Sequence, residues 1–324
     1  MSEQKYLPIS PLLITHGDAF SFNVYLKNKT SQAYVLFAAS EKMTDRHKIS
    51  LVENDVSELY IDLGDSKRFE KYIYENYGKV LSNEGIPLSV RAEIFHDHST
   101  SLSREVFATG LPGNVVPPEM LEKIERTLTS NYEFLVSNSG AFKSVARLID
   151  HNYKTYSHCV NVSVYTLVML VQLNRFDAIE TDAGVGAFLH DIGKQLIPNE
   201  ILDKPARLTD AEFDTVKKHS QFGFSIAKQS GLPDVACECA LKHHEKLDGS
   251  GYPLGLAEDD LPYYAQAVTI ADIYDALTAE RPYCRAYTPF EALKIMAKDV
   301  DRGKLDKHIF KLLVDVLGGN LWTT

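Results

Sequence analysis

Seven side chains in this sequence carry the chemistry of metal ligands: His158, His190, Asp191, His219, His243, His244 and Asp272. His190 and Asp191 are adjacent at the end of DAGVGAFLHDIGK, just before the glycine of a helix-stop signal, so they leave a helix end together. His243 and His244 form a second adjacent pair near the end of DVACECALKHHE, and His158 and His219 are expected mid-helix on apolar faces. A histidine facing a core must find a partner or stay neutral, and metal ligation is one solution. A lone histidine on an apolar face is more often a satisfied core residue. Two adjacent pairs plus three further donors in one region favour the metal.

The donors are nitrogen and oxygen only. Cys159 lies beside His158 but faces about 100° away on a helix. Structural zinc sites lean on cysteine or on four closely spaced ligands. Seven nitrogen and oxygen donors are too many for one tetrahedral ion. They suit two six-coordinate ions sharing an aspartate, which points to iron or manganese before zinc. Two such ions about 3.5–4 Å apart would clamp a phosphoryl group and generate a hydroxide nucleophile. The chemistry implied is phosphate-ester hydrolysis.

These residues need a frame of helices. The patterns predict helices over 119–150, 155–173, 178–191, 209–230, 233–245, 262–280, 289–299 and 306–318. Thr209 with Glu212 makes a capping box, and Pro289 after Thr288 a proline at the first helical position. The runs 197–208 and 247–262 resist helix and are expected as loops over the site. The apolar run VYTLVMLVQL belongs in the bundle core, being too short to span a membrane.

LHDIGK followed by HHEKLDGSGYP resembles the HD-GYP family, a branch of the HD-domain metal-dependent phosphohydrolases. The resemblance runs over about residues 118–320 and takes in IPNEILDKPARLTDAEFDTVKKHSQFG and IADIYDALTAERPY. It implies an all-α bundle around a bi- or trinuclear centre, commonly iron or manganese. The implied activity is hydrolysis of cyclic di-GMP to the linear dinucleotide or GMP; some members act on the mixed cyclic GMP-AMP. By position it implies that His158, His190, Asp191 and Asp272 hold one metal. Asp191 then bridges to a second held by His219, His243 and His244. Lys194 would reach a substrate phosphate, Arg281 would be a second phosphate contact, and Tyr252 would line the pocket. Trinuclear members carry a glutamate where this chain has Lys154, so two divalent ions are expected. Cys284 stands where the family often has a basic residue, which puts one phosphate contact in doubt.

Residues 1–112 read as a small mixed α/β module and residues 118–324 as the catalytic helical domain, an α+β chain overall. FSFNVYLK and AYVLFAA alternate like a hairpin, LYIDL reads as a strand, and RFEKYIYENYGKVL has helical spacing. His96 and His98, in FHDHST, are expected at a strand end or in a polar loop. The prolines and glycines of TGLPGNVVPPEM mark the linker. The module invites sensory input, a homodimer contact or a signalling-protein partner.

Composition is ordinary for a globular protein, 44% hydrophobic and 24% charged. A net charge of −10 argues against binding nucleic-acid polymers or anionic membranes. No membrane span or signal peptide is expected, and four cysteines without a C-x-x-C pair suggest reduced thiols of a cytoplasmic protein. Two other readings compete with the cyclic-dinucleotide phosphodiesterase. One is a catalytically weak module that binds the nucleotide and signals. The other is an HD phosphohydrolase for nucleoside phosphates, against which the GYP signature argues.

Overall fold

The computed structural model describes the chain except residues 1–4, 15–18, 29–30, 40–42, 44–45, 48–49, 52–53, 55, 57, 109, 139, 150–154, 174–177, 281–284 and 320–324. The expectations for Lys154, Arg281 and Cys284 therefore lie outside the described residues. The chain divides into two compact units, residues 1–91 and 92–324.

The first unit is an antiparallel sheet with a helix. Its strands are β1 (Tyr6–Ile9), β2 (Val24–Lys27), β3 (Tyr34–Ala38) and β4 (Leu59–Asp62), in the order β1-β4-β2-β3. The expected hairpin is β2 with β3, with a register shift at Val24/Tyr25. Helix α1 (Ser66–Ser82) follows β4. Val24, Leu59 and Ile61 point into a core completed by Phe20, Phe22 and Tyr72, with Phe69 and Ile73 packed against it. Tyr72 and Tyr77 are buried core side chains, as the helical spacing predicts.

The second unit is helical. Helices α2 (Leu88–Ala108, whose first turn belongs to the first unit), α3 (Pro118–Ser137) and α4 (Ala141–Ala146) precede α5 (Thr155–Val171) and α6 (Ala178–Leu189). A short α7 (Asn199–Leu202) leads to α8 (Asp210–Lys217), α9 (His219–Gln229) and α10 (Asp234–Lys242). The unit ends with α11 (Tyr263–Thr278), α12 (Pro289–Asp301) and α13 (Lys307–Leu317). Helix α5 buries Val160, Val162, Val164, Leu167 and Leu170, residues from every side of it. A helix apolar all round must be central, and α6, α11 and α13 pack on it. Both expected helix starts form: Thr209 accepts from the Glu212 amide and the Glu212 carboxylate answers back, and Pro289 opens α12, where Thr288 and Glu291 make a second capping box that the sequence reading did not name.

Three expectations are corrected. The helix expected over 119–150 ends at Ser137, where Asn138 turns extended and its side-chain amide donates to Phe134 O at 2.9 Å. The helix expected over 209–230 breaks at Lys218, so His219 begins α9 rather than lying mid-helix. His96 and His98 lie inside α2, neither at a strand end nor in a loop. The buried side of α2 includes Ser99 and Ser103 beside Phe95, Leu102 and Val106. Small polar residues on the inner face hide the apolar stripe that would announce the helix.

His98 has a measurable consequence. Its Nε2 lies 3.2 Å from Thr127 Oγ1, and burial pushes its pKa down from 6.5 to about 4. The unfolded chain takes up this proton near pH 6.5 and the native chain only near pH 4. Stability from the neutral imidazole is therefore present above pH 6.5 and lost as pH falls toward 4. Urea unfolding at pH 7.5 and pH 5 should show wild type losing about 2 kcal/mol more than His98→Gln over that interval. Equal losses would remove His98 from the account.

Candidate metal centre

The seven expected donors come from five helices or helix ends and meet in one buried cluster. His158 lies in α5, and Asp272 in α11. His190 and Asp191 follow the end of α6, His219 opens α9, and His243 and His244 follow α10. His158, His190, Asp191, His219 and His243 are all no more than 2% exposed, and Asp272 is 8% exposed. Three overlapping groups have potential ligand atoms within 4.8 Å of one another. They are His219 with His243 and His244, His158 with His190 and Asp272, and His190 with Asp191 and His243.

Helix ends fix the histidine tautomers. The last carbonyls of a helix lack intrahelical partners. His190 Nδ1 donates to Ala187 O at 2.7 Å, His219 Nδ1 to Val216 O at 2.6 Å, and His243 Nδ1 to Ala240 O at 2.9 Å. Each takes a carbonyl three residues back, at the end of α6, α8 and α10 respectively. A carbonyl only accepts, so each Nδ1 carries the proton and each Nε2 presents a lone pair. His158 lies inside a helix whose carbonyls are used. Its Nδ1 instead donates to Asp275 Oδ2 at 2.7 Å, and Asn161 Nδ2 steadies the other oxygen of Asp275 at 2.9 Å. Its Nε2 then faces Asp272 Oδ1 at 3.2 Å.

The result is a set of lone pairs pointed at one another. His219 Nε2 and His243 Nε2 lie 3.2 Å apart with no proton to share. His190 Nε2 and Asp191 Oδ1 are buried without a hydrogen-bond partner. Such groups cost free energy unless a cation meets them, so the donor set fits divalent ions. Asp191 stands between the two histidine groups. Its Oδ1 is 3.5 Å from His219 Nε2 and 4.0 Å from His243 Nε2. Its Oδ2 is 3.4 Å from His190 Nε2 and 3.7 Å from His158 Nε2.

Charge follows the same plan. Burial opposes ionisation of Asp191, but the Lys194 ammonium outweighs it and holds the carboxyl well below the usual carboxylate range. Burial pushes His243 well below the ordinary imidazole value, and His244 down to about 3. Neutral imidazoles beside an ionised carboxylate are the protonation states that ligation requires.

Lys194 and Tyr252 join the cluster. Lys194 Nζ lies 2.5 Å from Asp191 Oδ2 with its side chain 23% exposed. The ring of Tyr252 lies 4.7 Å from that of His244, tilted by 34°, and its amide donates to His244 O at 3.2 Å.

Three supporting residues escaped the sequence reading. Asp275 and Asn161 orient His158; the signal for Asp275 was its place one turn after Asp272 in IADIYDAL. Glu245, 2% exposed, is the third. Its Oε1 accepts from Leu254 N at 2.6 Å and Gly255 N at 3.2 Å, and its Oε2 from Leu256 N at 3.1 Å. Gly251 lets the loop close on this anchor, since a Cβ there would lie 2.4 Å from Glu245 Cα. Glu245 thus ties the loop carrying Tyr252 to the helix end carrying His243 and His244. Bonds to a charged acceptor contribute about 1.5–3 kcal/mol each. Glu245→Ala should therefore speed proteolytic cleavage within 247–257 by on the order of tenfold or more, while Glu245→Gln falls between. Unchanged cleavage would show that the loop stands without this clasp.

The HD domain family model matches residues 143–309. A cyclic di-GMP phosphodiesterase of Pseudomonas aeruginosa is 35% identical over 185 residues, 57% of this chain and 44% of that one. A 3'3'-cGAMP-specific phosphodiesterase of Vibrio cholerae is 39% identical over 163 residues, 50% of this chain and 35% of that one. The chain thus spans half or less of the length of these two curated relatives. The HDG"Y"P protein of Bdellovibrio bacteriovorus shares the fold, with a TM-score of 0.64 at 21% identity, over 97% of this chain and 99% of that one. Among the described residues no helix is long and apolar enough to cross a membrane. With this donor cluster, the LHDIGK and HHEKLDGSGYP segments and the matched model, the chain belongs to the HD-domain family, in its HD-GYP branch.

Proposed function

We propose that this protein is a metal-dependent phosphodiesterase that hydrolyses cyclic di-GMP to the linear dinucleotide or GMP. The observation that carries the reading is Asp191, whose two oxygens face two separate imidazole groups. A carboxylate so placed would bridge two ions, which supports the reading. His158, His190 and Asp272 would hold one divalent ion with Asp191, and His219, His243 and His244 the other. Nitrogen and oxygen donors rich in imidazole suit iron or manganese. When bound, the ions supply Lewis acidity toward water and phosphate oxygens.

The chain's own residues supply the rest. Lys194, partly exposed beside Asp191, would donate to a non-bridging phosphate oxygen, and Arg281 would be a second donor. Tyr252 would wall the pocket against the sugar or base. Asp275 and Asn161 keep the His158 ring in one orientation. We read 118–324 as the catalytic unit and 1–112 as a regulatory module through which a second copy or a signalling protein could act.

The mixed cyclic GMP-AMP is the second reading for substrate, favoured by the identity to the Vibrio cholerae enzyme. The test uses one anaerobically purified sample. Iron and manganese are counted per chain, each cyclic dinucleotide is incubated, and products are resolved by chromatography. Two ions per chain and a linear product are expected. Two ions with no product from either dinucleotide would turn the reading to a nucleotide-binding signalling module.

A further inference from the structure

An aromatic path leads from the metal cluster to solvent. The ring of Tyr252 packs 4.7 Å from that of His244. The ring of Phe213, on α8, lies 6.4 Å from that of Tyr252, with the planes at 79°. Phe213 is 45% exposed. Two rings meeting almost perpendicularly form an open corner. The ammonium of Lys217 lies over both, 4.8 Å from the Phe213 ring and 6.0 Å from the Tyr252 ring. It also pairs with Asp214 Oδ1 at 2.8 Å and keeps a side-chain exposure of 35%.

A single exposed phenylalanine is ordinary and means nothing by itself. Here it continues a run of rings that begins at the catalytic cluster, and a cation overlooks it. A flat base can lie on one ring with its edge against the other. An anion beside that base would meet the ammonium. A cyclic dinucleotide with one phosphodiester at the metals must lead a base and the second phosphate outward.

We propose that Phe213, with Tyr252, forms an outer subsite that stacks a nucleobase of the substrate, and that Lys217 meets the phosphate next to it. The proposal rests on the cyclic-dinucleotide reading above. Stacking of one base on an aromatic side chain changes affinity by on the order of tenfold or more.

The test is calorimetric titration of the full metal-loaded chain with GMP and, separately, with ribose 5-phosphate, which lacks the base. Phe213→Ala should weaken GMP about tenfold and leave ribose 5-phosphate within about twofold. Phe213→Trp should restore GMP. Lys217→Met should weaken both probes alike. GMP affinity unchanged in Phe213→Ala, or equal loss of both probes, overturns the subsite. So does wild type binding GMP no more tightly than ribose 5-phosphate, whatever its turnover. If wild type prefers GMP through Phe213 yet cleaves neither cyclic dinucleotide, the subsite stands and the catalytic reading fails.

Discussion

Asp191→Ala should abolish turnover and leave the protein nearly metal-free while it still folds. Loss of a residue that merely supports a ligand costs roughly 10–100-fold in metal affinity or activity. Asp191 is placed to do more. Its Oδ1 faces His219 and His243, and its Oδ2 faces His190 and His158. Remove the carboxylate and each histidine group keeps its lone pairs but loses the anion shared between them. His219, His243 and His244 are neutral imidazoles, because burial holds their pKa down. Asp272 alone would then balance the charge of two dications. Asp191→Asn should fail too, since an amide offers one acceptor oxygen rather than two. Metal analysis, circular dichroism and product chromatography on the same preparations read the outcome. Retention of both metals with normal turnover would show that the shared position belongs to another residue.

The donor set was legible chiefly through its two adjacent pairs, His190 with Asp191 and His243 with His244, which fall at helix ends, whereas His158 and Asp272 lie inside helices. What the sequence did not show is why helix ends serve. His190, His219 and His243 each use a carboxy-terminal carbonyl to lock the proton on Nδ1, a role invisible until the break at Lys218 is seen. Thr209 announced the start of α8 through its cap, whereas nothing comparable marks its end: Lys218 keeps a helical backbone and only its ψ relaxes, to −17°. Asp275 was quoted within a motif but lacked a reason, since its partner lies 117 residues away. The α+β class followed from strand alternation before residue 63 and helical spacing afterwards. Helix α2 was missed because Ser99 and Ser103 occupy inward positions where apolar residues would have revealed the period.

Gly193 is the clearest case of a residue read correctly in place and incompletely in purpose. In LHDIGK it reads as a helix-stop glycine, and α6 does end at Leu189. Its structural reason is contact. A Cβ on Gly193 would lie 2.0 Å from His219 O and 2.4 Å from Gly223 N, backbone atoms of α9 that cannot rotate away. The turn carrying Asp191 and the helix opened by His219 approach each other through that glycine. Gly193→Ala must push α9 outward and carry the His219 imidazole with it. Overpacking typically costs about 1–3 kcal/mol, and a clash with backbone falls at the upper end or beyond. For a unit this size that is a Tm lower by roughly 6–12 °C, with metal affinity reduced by at least the roughly 10–100-fold of a lost supporting residue. Gly223→Ala is the internal control. Its Cβ would meet Ala240 Cβ, Gly193 N and His190 O, each at 3.5 Å, which is ordinary contact. That variant should stay within about 1 kcal/mol of wild type and gain some helix stability inside α9. Calorimetric melting and metal analysis of the two variants side by side decide the matter. If Gly193→Ala behaved like Gly223→Ala, the close approach would not be what holds His219 beside Asp191.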